Sequence, residues 1–324
     1  MFKVLGMGNA LTDVLIPISS DLILRELGLP KGSMQLIDQK QFTNIQKRIS
    51  GMQVHLVCGG SAANTITGIS KMGLQTGFIF KVHKDEVGDN YCNDLKSYGV
   101  APMVLYDEQP SGRSLVFITP DGERTFATYL GAAAAMVPED LKKEMFSGYD
   151  LFYTEGYLVQ NHDLIVKALK LAKEAGLKVA LDLASYNVVE SDRDFLKSLV
   201  ESYVDIVFAN EEEALALTEV SPKDSLHIIA KQTEISVVKM GKYGAMAKRG
   251  EEIAITPAVS ANCIDTTGAG DLFASGFLFG LSSGKSLEDC LKFGTISAGK
   301  VIEFIGPKID QAGWEKVFDD FKLL

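Results

Sequence analysis

Cysteine and histidine are scarce in this sequence, and each scarcity closes off a class of protein. Four cysteines (Cys58, Cys92, Cys263 and Cys290) lie far apart in 324 residues and form no C-x-x-C pair. That spacing excludes a disulfide framework and a zinc ribbon, and predicts reduced, mostly structural thiols in a cytoplasmic protein. The four histidines, His55, His83, His162 and His227, show no metal-ligand spacing. Basic charge is also in deficit: 32 Lys and Arg against 42 Asp and Glu give a net charge of −10. No cluster of Lys and Arg marks any expected face, which argues against nucleic acid or an anionic membrane as partner. No apolar run reaches the ~18 residues that a spanning helix needs. The start, Met1 to Ala10, reads as a short strand rather than a signal peptide. Internal repeats, flexible linkers and polar low-complexity tracts are missing too.

What remains is a chain with 46% apolar residues, enough for a large buried core. Its pattern alternates strand and helix. Strands are expected at Phe2 to Gly8, Thr76 to Val82, 150–154, 178–183, 205–209 and Ile235 to Met240. Helices are expected at Gly88 to Tyr98, 161–175, 191–202, from Asp271 onward, and at 286–304 and 309–322. Two stretches depart from this rhythm. From Val14 to about His55, short strands (Val14 to Ile18, Ser33 to Ile37) mix with helices (Asp21 to Leu27, Gln39 to Ser50). From Met103 to Leu130, two apolar runs flank Pro120-Asp121-Gly122-Glu123, a hairpin turn signal. Together, residues 14–56 and 101–130 are expected to form a small sheet standing off the main body as a lid.

Two small-residue turns open helices. The run Asp265-Thr266-Thr267-Gly268-Ala269-Gly270-Asp271 leads into an apolar helix, so the first N–H groups of that helix point outward unpaired. They form an anion site, reinforced by the helix dipole. Asp271 falls in the first turn beside them. A carboxylate next to an anion hole suits phosphoryl transfer: the acid takes a hydroxyl proton while Gly268, Ala269 and Gly270 stabilise the moving phosphoryl group. The plainer alternative is an acid that complements a helix start, with glycines for close packing. The second turn, Cys58-Gly59-Gly60-Ser61-Ala62-Ala63-Asn64, lets a ligand approach the backbone and puts Asn64 in a first helical turn; tight helix–strand packing is its alternative.

Other candidates are single groups at strand ends. Asn9 and Asp13 offer an amide and a carboxylate that can grip adjacent sugar hydroxyls, or simply satisfy a turn. Arg124, just past the hairpin turn, is a candidate phosphate contact or a solvated charge. Asn210 and Glu213, three apart on one helical face, either hold the water shell of Mg²⁺ or complement the helix dipole. Two motifs are decoys. Gly6-Met7-Gly8 lacks the third glycine of a dinucleotide site, since Leu11 stands there. Gly280 to Ser286 resembles a P-loop but is one residue short between its glycines and follows a helix; Ser286 is expected to cap the next helix.

The two small-residue runs, in this order and about 200 residues apart, resemble the N- and C-terminal signatures of the ribokinase-like (PfkB) family of carbohydrate and nucleoside kinases. The resemblance spans essentially the whole chain. It implies one three-layer α/β/α domain over 1–324 with a mostly parallel sheet and the small β-sheet lid. It implies Asp271 as catalytic base, an anion hole at Gly268, Ala269 and Gly270, and Asp13 on the acceptor hydroxyls. Gly59, Gly60, Ser61 and Asn64 would line the acceptor site, with Asn210 and Glu213 for Mg²⁺ and phosphate. Gly241, Gly244 and Thr266 would meet the nucleotide, and Asp265 with Thr267 would hold a monovalent cation such as K⁺. Gly8 to Asp13, Gly59-Gly60-Ser61 and Gly122-Glu123-Arg124-Thr125 look like the adenosine-kinase branch. There Tyr157 would stand near the base, and the segment carrying Met34 would close over the pocket. Ala62 and Ala63 depart from that branch, which has longer polar residues there. The implied activity is ATP-dependent phosphorylation of a ribonucleoside 5′-hydroxyl, with a sugar kinase or a silent nucleoside binder as alternatives. A monomer and a homodimer are both compatible with the sequence.

Overall fold

The computed structural model describes residues 2–324. In chain order the elements are β1 (Lys3–Met7), β2 (Thr12–Pro17), α1 (Leu22–Leu27), β3 (Met34–Leu36), α2 (Gln39–Ile49), β4 (His55–Cys58), α3 (Ser61–Lys71), β5 (Gln75–Val82), α4 (Glu86–Ser97), β6 (Val100–Tyr106), β7 (Arg113–Ile118) and β8 (Arg124–Tyr129). Short 3₁₀ turns between 131 and 146 lead to β9 (Leu151–Glu155), α5 (His162–Glu174), β10 (Lys178–Asp182), α6 (Tyr186–Ser191) and α7 (Arg193–Tyr203). Then follow β11 (Ile206–Asn210), α8 (Glu211–Thr218), α9 (Pro222–Ile229), β12 (Ile235–Lys239), β13 (Ala245–Arg249), β14 (Glu252–Thr256), α10 (Ala269–Ser282), α11 (Leu287–Val301) and α12 (Gln311–Phe321).

Nine strands form one sheet in the order β14-β13-β12-β11-β10-β9-β1-β5-β6. All pairings from β6 to β12 are parallel, and β13 and β14 add an antiparallel hairpin at one edge. Successive strand residues point to opposite faces, and the core divides accordingly. Leu5, Met7, Phe152, Val179, Leu181 and Val207 pack towards α5, α7 and α8. Val4, Phe78, Phe80, Tyr153, Ile206 and Phe208 pack towards α3, α10 and α11. This is the three-layer arrangement expected. Runs buried on both faces read as continuous apolar strands, which is why the parallel sheet was legible.

The second sheet has the order β3-β8-β7-β2-β4. Alternate residues of its strands (Val14, Ile16, Leu115, Phe117, Ala127 and Tyr129) meet Ile23 and Leu24 of α1 and Phe42 and Ile45 of α2, giving it a core of its own. Phe42 stacks on Tyr129 with ring centres 4.5 Å apart. One expectation is corrected here. The stretch 101–106 was assigned to the small sheet, but β6 pairs in parallel with β5 and closes the edge of the large one. Val100 and Val104 meet one core face and Met103 and Leu105 the other; Pro102, which reads against a strand interior, hid the pattern. Conversely, β4 was not expected as a strand; it pairs with β2, and Thr12 faces Cys58 across that pairing.

Ser286 caps α11 through Asp289 N–H at 3.1 Å, as expected of the P-loop decoy. Among the described residues no helix is long and apolar enough to cross a membrane.

Candidate active site

The candidate residues converge at the carboxyl ends of the parallel strands, where open α/β sheets bind ligands. A cleft of about 1020 Å³ opens there. Its walls include Ser61 and Tyr157, the charged groups Asp182, Glu213 and Lys239, and, at the α10 entry, Thr266 and Gly268 through Asp271.

Asp271 lies in the first turn of α10, and α3 holds its carboxylate from the other side. Ser61 Oγ donates to Oδ1 at 2.7 Å and Asn64 Nδ2 to Oδ2 at 2.9 Å. The two helices approach this closely because Gly68 faces Ser275: a Cβ on Gly68 would sit 2.4 Å from Ser275 Oγ. Close packing is therefore present, and it leaves Asp271 on the wall of the cleft. Burial pushes Asp271 up to about 6, against the two hydrogen bonds from Asn64 and Ser61. A base in that range is ionised at neutral pH and still strong enough to take a proton.

The N–H groups open to an anion differ from the implied set at one position. Ala269 N–H donates to Thr266 carbonyl at 3.1 Å. Among the described residues no acceptor stands opposite the N–H groups of Gly268, Gly270 and Asp271, and the last two lie in the first turn of α10.

The second small-residue turn packs against the segment from Asn9 to Asp13. Gly60 has φ +95°, and a Cβ there would press to 2.5 Å from Asn9 carbonyl oxygen. Gly59 N–H donates to Leu11 carbonyl at 2.9 Å, and a Cβ on Gly59 would lie 3.5 Å from Asp13 Oδ2. Asn9, Asp13, Gly59 and Gly60 thus meet at one place. Burial raises Asp13 to about 6, with Arg124 pulling it down and Asp265 pushing it up. Asn64 Oδ1 is buried without a hydrogen-bond partner, an acceptor left open for a ligand hydroxyl. Ala62 and Ala63 are buried in the core beside Val4 and Phe78 and do not reach the pocket. Tyr157 lines both the cleft and an adjoining cavity of about 350 Å³ that also contains Asn9 and Gln160. Met34 is 61% exposed on β3 and touches neither.

Three of the implied site groups have partners within the protein. Arg124 Nη1 lies 3.0 Å from Asp265 Oδ2, tying the small sheet to the loop before α10. Asp265 also takes Gly306 N–H at 2.7 Å, and Thr267 donates both its N–H (3.0 Å) and its hydroxyl (2.7 Å) to it. With its oxygens spent in this way, Asp265 does not fit as ligand to a monovalent cation. Asn210 and Glu213 form a reciprocal cap of α8: Asn210 Oδ1 accepts Glu213 N–H, and both Glu213 oxygens accept from Asn210, each at 2.8 Å. Burial raises Glu213 to about 7. The acids beside it in the cleft wall, half-buried Glu211 and exposed Glu212, offer hard oxygens suited to the waters of a Mg²⁺ ion that arrives on a nucleotide.

Two groups were missed. Lys239 at the end of β12 pairs with Asp182 at the end of β10, Nζ to Oδ2 2.8 Å. Glu155, at the end of β9, is buried and accepts Asn9 N–H at 2.9 Å and Ala62 N–H at 2.7 Å. Burial lifts it to about 7. The available signal was a charged residue ending an apolar strand, in Leu181-Asp182, Thr154-Glu155 and Val238-Lys239. Gly241 and Gly244 do border the cleft.

Known proteins share this architecture. The family model for pfkB family carbohydrate kinases matches residues 32–311. The crystal structure of adenosine kinase from Sinorhizobium meliloti is 36% identical, with a TM-score of 0.86 over 98% of this chain and 99% of that one. A probable sugar kinase from Rhizobium etli is 35% identical, with a TM-score of 0.86 and 98% coverage of both chains. Adenosine kinase of Saccharomyces cerevisiae is 26% identical over 325 aligned positions, 93% of this chain and 95% of that one. With the strand-end cleft, the Asp271 constellation and these matches together, the chain belongs to the pfkB family of carbohydrate kinases, phosphotransferases with an alcohol group as acceptor.

Proposed function

We propose that the chain transfers the γ-phosphoryl group of ATP to the 5′-hydroxyl of a ribonucleoside, adenosine first, giving the 5′-monophosphate and ADP. The observation that carries this reading is the placement of Asp271. Its carboxylate is fixed by Ser61 and Asn64, and it lies in the same helical turn as the two open N–H groups. The acceptor hydroxyl gives its proton to Asp271 as its oxygen bonds to phosphorus. The bond to ADP then breaks, and the N–H groups of Gly270 and Asp271 stabilise the charge in transit. Asp13 and Asn64 Oδ1 accept hydrogen bonds from the sugar hydroxyls, beside the backbone of Gly59 and Gly60. A divalent cation bound with ATP neutralises phosphate charge.

A nucleoside is favoured by Tyr157, whose ring borders the adjoining cavity beside Asn9; a purine fits against such a face. The small sheet acts as the lid, and Arg124 is the group it brings to the phosphoryl path. A plain sugar as acceptor is the second reading, supported by the likeness to the Rhizobium etli protein. ATP turnover with a panel of nucleosides and sugars tests both. Adenosine should be the best acceptor by kcat/KM; a sugar preferred over every nucleoside overturns the nucleoside reading.

A further inference from the structure

We propose that Lys239 is a catalytic residue: its ammonium meets the phosphate chain of the donor and balances the charge of the phosphoryl group in flight. The proposal rests on the phosphoryl-transfer reading above and adds a group to it.

Charge is the first argument. The cleft is walled by five acids, Asp182, Glu211, Glu212, Glu213 and Asp271, and by two lysines. Lys242 is exposed at the rim, whereas the Lys239 side chain is 14% exposed inside. A triphosphate entering an acidic, poorly solvated cleft needs a fixed counter-charge, and Lys239 is the cation held at its floor.

Position is the second. Lys239 Nζ stands 3.2 Å from where a Cβ on Gly270 would be, so the missing side chain at 270 leaves room for the ammonium beside the open N–H groups. An anion seated on those N–H groups lies next to Nζ.

Satisfaction is the third. An ammonium carries three donors. Among the described residues its only hydrogen-bond acceptor is Asp182 Oδ2, at 2.8 Å. Asp182 is itself anchored by Ala184 N–H on Oδ1 at 3.0 Å. Two donors of Lys239 are left for the cleft. Desolvation works against the charge on Lys239, but Asp182, Glu213 and Asp271 outweigh it and hold the group protonated. As a mere strut the pair has little merit, since a buried ion pair is commonly no more stabilising than two apolar side chains.

That last point supplies the test. The double substitution Lys239→Met with Asp182→Leu removes both charges without stranding either. Thermal melting reports folding, calorimetry reports adenosine binding, and kcat reports the chemistry. The expected variant is folded, binds adenosine as the wild type does, and has kcat reduced by about 10²–10³-fold, the usual worth of one lost charge stabiliser. A folded double variant that keeps wild-type kcat overturns the proposal. Should the variant not fold, the wild type decides. An ATP derivative with an acyl group on its γ-phosphate passes that group to an amine beside the phosphate, and peptide mapping locates it. Acylation of Lys239 supports the proposal; acylation confined to Lys242 or other lysines overturns it. If the wild type phosphorylates no acceptor in the panel, the function reading has failed. Weaker binding of a β,γ-imido ATP by the folded double variant would then still support the role of Lys239, and equal binding would overturn it.

Discussion

Replacing Asp271 with Asn separates the chemical role of this carboxylate from its structural one. In the native site Ser61 Oγ and Asn64 Nδ2 each donate to one carboxylate oxygen. A carboxamide keeps the shape but turns one acceptor into a donor, which would face Asn64 Nδ2. Asn64 can answer by rotating its amide, because Oδ1 has no partner to lose. The network therefore survives and the fold with it. Stability should even rise. Asp271 has an ordinary value of 3.8 and one of about 6 in the fold. Between these pH values the folded chain retains a proton that the unfolded chain has released, so stability falls as pH climbs through that window. At about 1.4 kcal/mol for each pH unit, the ionised carboxylate costs the native state roughly 1–3 kcal/mol at neutral pH. Asp271→Asn should thus melt at or above the wild-type temperature at pH 7.5, and lose that advantage near pH 4. Adenosine and ATP should still bind, while kcat falls by about 10²–10⁴-fold with the base gone. The wild-type acid limb of kcat/KM should lie near the value of about 6. Calorimetry, melting curves across pH and steady-state kinetics test each part. A variant that keeps more than about a tenth of kcat would reduce Asp271 to a helix-start acid, and a large loss of melting temperature at pH 7.5 would refute the electrostatic reasoning.

Three further outcomes are expected. Asp13→Ala should weaken adenosine by roughly 10–100-fold in calorimetry, since a charged hydrogen bond contributes about 1.5–3 kcal/mol, with ATP affinity unchanged; the reverse pattern would show the two subsites exchanged. In the wild type the same affinity should fall as pH drops through about 6, where Asp13 takes up its proton. Gly60→Ala forces an L side chain to φ +95° and against Asn9 carbonyl oxygen, which should cost about 1–3 kcal/mol of stability in denaturant titration; an unperturbed midpoint would mean the turn relaxes freely. Hydrogen exchange in Arg113 to Leu130 and Lys31 to Leu36 should slow when nucleoside binds, and protection by ATP alone would count against the lid.

The sequence made the local devices legible and left the long-range ones hidden. Gly59-Gly60 and Gly268 to Asp271 are contiguous, and their meaning depends on a turn feeding a helix, which composition and spacing reveal. The hairpin around Pro120-Asp121-Gly122-Glu123 is local in the same sense. The Lys239–Asp182 pair joins strand ends 57 residues apart, and nothing beside either residue announces the other. Glu155 is hidden for the same reason, because its partners at Asn9 and Ala62 are supplied by sheet order. Asp265 misled in the opposite direction: its type suits a cation, but Arg124, from a different sheet, occupies it. The Asn210–Glu213 spacing fitted two readings, and the reciprocal cap is compatible with both.

The partners that hold Asp271 precede it by 210 and 207 residues. On a ribosome, therefore, the two side chains that fix this carboxylate emerge long before it does. The central strand β1 waits as well, because one of its two neighbours, β9, begins only at Leu151. Contacts this distant in sequence close slowly, and the apolar side of α3 that α10 later covers stays bare until Leu272 and Phe273 arrive. A nascent chain or a fragment ending before Gly268 would thus be both inert and prone to stick to itself.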